Sequence, residues 1–122
     1  MNTPRLIGIG ASLLVLYGCA TTHQKYDWGN YESSLYVYYK SPASAARLQQ
    51  SLQALIAAAS QTGRPVAPGI YAEYGYLLMQ GGKSQEAIAA FRQEEERWPE
   101  SKMFMDQMIK AAASASPATK GS

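Results

Sequence analysis

Glycine and proline cut this chain into short lengths, and within each length the apolar residues recur at helical spacing. The breaks fall at Ser41-Pro42, at Gly63-Arg64-Pro65-Val66-Ala67-Pro68, at Gly81-Gly82 and at Trp98-Pro99. Between the first two, Leu48, Leu52, Leu55, Ile56 and Ala59 form an apolar stripe. No stretch alternates apolar and polar residues between hairpin turns, so strands are not expected. The spacing predicts helices over about 30–40, 43–62, 69–79, 84–97 and 101–112. In the first, Tyr31, Leu35 and either Tyr38 or Tyr39 share a face, and in the last Met105, Met108, Ile109 and Ala112 do. Ser41 is placed to cap the second helix, with Pro42 at its first position, where a missing N–H costs nothing. Glu86 sits in the first turn of the fourth, where the helix dipole favours an anion. Short helices joined by tight turns imply an all-α fold, a short antiparallel helical stack.

The amino terminus is organised differently. Arg5 precedes an apolar run, Leu6 to Tyr17, that is too short to span hydrocarbon as a helix, which needs roughly 20 residues. A basic start, a short apolar stretch and a small-residue exit describe a secretory signal peptide. The exit, Leu16-Tyr17-Gly18-Cys19, resembles the bacterial lipobox, although Tyr17 is larger than that motif prefers. The resemblance implies cleavage after residue 18 and a lipid on Cys19, the only cysteine of the chain. Acyl chains at one terminus give stable membrane anchoring. Ala20 is not the Asp associated with inner-membrane retention, so the outer membrane is the expected location. The expected organisation is a signal peptide at 1–18, a lipidated tether at 19–25, a helical domain at 26–112 and a disordered tail at 113–122 that lacks large apolar groups.

A repeat pattern lies within the helical part. Tyr71, Tyr74, Gly75, Leu78, Ala87, Phe91 and Pro99 stand at spacings that resemble the tetratricopeptide signature, a helical pair about 34 residues long. Gly75, Ala87, Phe91 and Pro99 match outright, and Glu94 stands where that family prefers alanine. The resemblance implies that Gly75 and Ala87 lie where two helices cross, with Phe91 beside them. A single repeat cannot bury its own faces. The segment from Gly29 to Leu35 reads as part of a preceding unit, with Ser34 at the small position and Tyr38 at the bulky one. The 43–62 helix would pack between the halves, and the last helix would close the stack.

The lipobox, the segment Lys25-Tyr26-Asp27-Trp28-Gly29-Asn30-Tyr31-Glu32-Ser33-Ser34-Leu35-Tyr36 and the stretch from Pro68 to Gly75 together resemble a family of uncharacterised proteobacterial lipoproteins, domain of unknown function 4810. The likeness runs from Tyr26 to about Ile109. It implies a component of a cell-envelope assembly, since members are typically encoded beside a lipoprotein resembling the curli secretion channel CsgG. It supplies no catalytic residues.

The residues themselves point away from catalysis. His23 is the sole histidine and lies in the tether, so neither a triad nor a zinc site assembles around it. Gly81-Gly82-Lys83-Ser84 lacks the first glycine and the strand of a phosphate loop. Glu94-Glu95-Glu96 reads as a solvated charge run, with Arg92 and Arg97 near enough for weak pairs. Eleven Lys and Arg face nine Asp and Glu, a near balance that gives no reason to expect nucleic acid as a partner. No cofactor, metal or small-molecule substrate is implied. Tyrosine is the richer signal. Leu35, Tyr36, Tyr38 and Tyr39 cannot all face one core at about 100° per residue, so some of these rings must lie outside. Trp28, Tyr31, Tyr36, Tyr38 and Tyr39 are the candidate partner-binding residues, because tyrosine and tryptophan are enriched at binding surfaces. The other reading is that they cover the open edge of the stack. Two functions follow: a lipid-anchored interaction or scaffold module, or a structural lipoprotein whose exposed aromatics stack on peptidoglycan or polysaccharide.

Overall fold

Leu48, Leu52, Leu55 and Ala59 form the buried stripe of a long helix, and the fold is built outward from it. The computed structural model describes residues 25–115. In chain order these form α1 (Tyr31–Lys40), α2 (Ala45–Thr62), α3 (Ile70–Gln80), α4 (Ser84–Arg97) and α5 (Lys102–Ala115). Single 3-10 turns, Pro42–Ser44 and Pro99–Ser101, lead into α2 and α5. No strand occurs among the described residues. The protein is an all-α helical stack in which each helix packs chiefly on its neighbours in the chain, and α5 also touches α3.

The break at Ser41-Pro42 is sharper than the sequence suggested. Ser41 is extended, at φ −146° and ψ 98°, and its side chain makes no capping bond. Its carbonyl instead accepts from the Ser44 amide at 2.9 Å and the Ser44 hydroxyl at 2.6 Å. That closes a 3-10 turn, so α2 begins at Ala45 rather than at 43. At the far end α5 runs to Ala115, past the expected stop at Ala112. Small residues with high helix propensity continue it, and the Ser114 hydroxyl donates back to the Lys110 carbonyl at 2.9 Å. The expected signal peptide, Cys19 and His23, and residues 116–122 of the expected tail, lie outside the described residues.

Two apolar groups hold the stack. One joins Leu48, Leu52 and Leu55 of α2 to Val66, Ala67, Ile70 and Leu77, with Trp28, Tyr31 and Tyr38 packed against it. The other joins Leu78, Ala87, Ala90 and Phe91 to Met105 and Ala112 of α5. Tyr74 touches both. The start of the domain is held by an equally specific polar link. Ser51, buried on α2, donates to Asn30 Oδ1 at 2.6 Å, and Ser34 is the buried small residue of α1.

The crossing of α3 and α4 is set by Gly75. A Cβ placed there would lie 2.7 Å from Phe91 Cε1, 2.8 Å from Cδ1 and 3.1 Å from the Ala87 carbonyl oxygen. Phe91 and Ala87 are fully buried, so neither can swing aside. Gly75→Ala is therefore expected to lower the melting temperature: overpacking costs about 1–3 kcal/mol, and the helix propensity gained, about 1 kcal/mol, offsets only part. Adding Phe91→Leu should leave the double variant less destabilised than the sum of the two singles. Thermal melts of the three chains decide it, and a Gly75→Ala chain as stable as the parent would refute this account.

Candidate functional site

The aromatic residues of the first segment divide by helical phase. Tyr31 and Tyr38 turn inward from α1, while Tyr36 and Tyr39 turn out, 63% and 77% exposed. Trp28 is half-buried, its ring 5.7 Å from that of Tyr31 and 6.1 Å, edge-on, from Tyr26. Tyr26 in turn meets Trp98 edge-on at 6.3 Å. Of the candidate residues, then, Trp28, Tyr31 and Tyr38 brace the domain. Tyr36 and Tyr39 remain free to meet a partner, with the Lys40 ammonium lying 5.4 Å from the Tyr36 ring centre.

Tyr31 carries the one strong polar link from α1 to α3. Its hydroxyl donates to Glu73 Oε2 at 2.6 Å. Burial raises the Tyr31 phenol well above its ordinary range, and the hydrogen bond to Glu73 and the charge of that carboxylate add to the shift.

Glu73 also lines a groove of about 210 Å³ between α3 and α5. Its other walls are Ala72, Tyr76, Phe91, Phe104, Met105 and Met108, so the lining is almost wholly apolar. Three large side chains stand out around it or beside it: Tyr76 is half-exposed, Phe104 is 60% exposed and Met103 is 78% exposed. Nothing in the sequence reading singled them out, although a signal existed. Met103, Phe104 and Met105 are consecutive, and at about 100° per residue only Met105 can enter the core.

The charge run on α4 is not a solvated face. Glu94 is 1% exposed, and its Oε1 accepts from the Gly69 amide at 2.6 Å. Gly69 has φ +88°, a conformation that a side chain would strain, so the bond joins the end of α4 to the start of α3 at a site only glycine fits well. Glu94 Oε2 is buried with no partner. Glu95 lies 3.8 Å from the Lys102 ammonium, while Glu96 is exposed. Arg92 and Arg97 form no ion pair within 4.0 Å among the described residues. Arg97 instead donates to the Gln93 side chain and lies 4.8 Å over the Tyr71 ring.

No group of His, Cys, Asp and Glu among the described residues is placed to hold a metal ion. No described helix is long and apolar enough to cross a membrane. What the fold defines is a helical stack that displays apolar and aromatic surface. Its residues 25–108 match the family described as domain of unknown function (DUF4810), and the chain belongs to that family. Neither a curated protein nor a solved structure matches it.

Two outcomes follow from these links. Glu94→Ala strands the Gly69 amide and should cost about 1.5–3 kcal/mol. Glu94→Gln keeps an acceptor and removes a buried charge, so it should cost clearly less, or stabilise. Equal losses in denaturant titrations would contradict the assigned bond. For Tyr31 the folded pKa is raised above the unfolded value, so its contribution is complete below pH of about 10. It is lost as pH rises through the folded value. Denaturation midpoints measured toward higher pH should fall, and Tyr31→Phe should remove part of that slope.

Proposed function

We propose that this protein is a lipid-anchored interaction module of the bacterial cell envelope, held to the outer membrane through Cys19 and docking a second envelope lipoprotein. The observation that carries the reading is the apolar groove between α3 and α5 with Phe104 and Met103 exposed beside it. Large apolar side chains left in water around a groove mark surfaces where another protein docks. The lipobox-like Leu16-Tyr17-Gly18-Cys19 supports the anchor. The tetratricopeptide-like spacing of Gly75, Ala87 and Phe91 supports a scaffold role, because such stacks present helix faces to partners. A CsgG-like channel lipoprotein is the partner that the family resemblance favours. No enzymatic activity is proposed.

The exposure of Tyr36 and Tyr39 favours a second reading, in which these rings stack on peptidoglycan or polysaccharide. The two separate cleanly. Crosslinking in intact cells, followed by mass spectrometry of the detergent-extracted protein, should recover a chain beginning at acylated Cys19 joined to an envelope lipoprotein. Phe104→Ala should reduce that capture severalfold without changing the melt, while Tyr36→Ala with Tyr39→Ala should leave it in place. Pelleting with purified sacculi in the absence of other proteins, lost in the double tyrosine variant, would instead support the glycan reading and defeat the first.

A further inference from the structure

A different cleft, of about 360 Å³, opens between the end of α2, the 63–68 connection and the end of α4. One wall is apolar, formed by Ile56, Ala59 and Val66. The rest includes two guanidiniums. Arg64 and Arg97 both line it, and neither guanidinium lies within 4.0 Å of a carboxylate among the described residues. Trp98 lines it as well, and its buried indole N–H has no acceptor. Arg97 is already positioned: its guanidinium lies 4.8 Å over the Tyr71 ring and its Nη1 is tied to Gln93. That leaves Nε and Nη2 free to grip a ligand, with little side-chain entropy left to lose.

Two unpaired guanidiniums call for an oxyanion, and the wall of Ile56, Ala59 and Val66 calls for an apolar body attached to it. We propose that this cleft binds the free carboxyl terminus of a partner polypeptide whose last side chain is apolar. The surrounding charge selects this class. Glu96 and Glu100, both exposed, lie beside Arg97 in the chain, so an anionic membrane surface or a polyanion would meet acidic groups. A single carboxylate held between two arginines meets them far less. This site is separate from the groove between α3 and α5 and does not rest on the reading given for it.

The chain has two tryptophans, so the two indole N–H signals in a ¹H–¹⁵N spectrum of the whole protein report the cleft directly, with Trp98→Phe assigning its own peak. Titration with N-acetyl-Leu-Phe carrying a free carboxylate should move the Trp98 peak saturably and leave that of Trp28 in place. The same dipeptide as its carboxamide should move neither. Arg97→Gln and Arg64→Gln, both at exposed positions, should each weaken binding about tenfold. Arg92→Gln, on α4 but outside the cleft, should leave it unchanged. A Trp98 peak unmoved at millimolar dipeptide, an equal response to the carboxamide, or tighter binding of phenyl phosphate than of the dipeptide would each overturn the assignment.

Discussion

The close approach of α3 and α4 at Gly75 governs the rest of the stack. With no side chain at that position, the Phe91 ring lies against the α3 backbone and Ala87 brings its carbonyl to just over 3 Å from where a Cβ would stand. Once these two helices are held at that distance, their other residues are assigned by phase alone. Ile70 and Leu77 turn toward α2, Leu78 and Phe91 toward α5, and Tyr74 spans the seam. Neither apolar group is large, and neither helix pair could bury enough surface alone. The crossing makes one body of them.

Glu94 is the polar counterpart of that crossing, and its position is costly in isolation. A buried carboxylate loses much of its hydration, and here only one of its oxygens has a donor. The donor is the amide of a glycine with positive φ at the start of α3, an amide that the helix itself cannot satisfy. One bond therefore meets a need at both ends, and it fixes the angle at which the 63–68 connection enters α3. The buried Val66 and Ala67 beside it are held to the same geometry.

The helices were legible because their punctuation is unambiguous. Gly81-Gly82 and Trp98-Pro99 leave no other place for α4 to begin or end, and the observed span, Ser84–Arg97, is the one that the spacing predicts. The stripe of α2 and the inward residues of α5 follow from period in the same way. Glu94 was not legible, because in a row of three glutamates the chain gives no sign of which one faces inward. That depends on where the Gly69 amide arrives, a contact across 25 positions of sequence. Tyr38 and Tyr39 show the same limit on a smaller scale: either could complete the face of Tyr31 and Leu35. The choice is made by the packing of α1 on α2, which takes Tyr38 and leaves Tyr39 in water.

The aromatic residues gain from this a division of labour that composition alone conceals. Tyr26, Trp28 and Tyr31 form a chain of ring contacts that reaches Trp98, tying the segment before α1 to the end of α4. The chain therefore enters the domain at Lys25 through an aromatic seam. That seam ends at Trp98, which also lines the Arg64–Arg97 cleft. The groove beside Phe104 and Met103 is built from α3, α5 and Phe91 of α4 and does not include that seam. An apolar groove and a cleft lined by two arginines thus sit on one small stack, and only the cleft adjoins the aromatic seam, through Trp98.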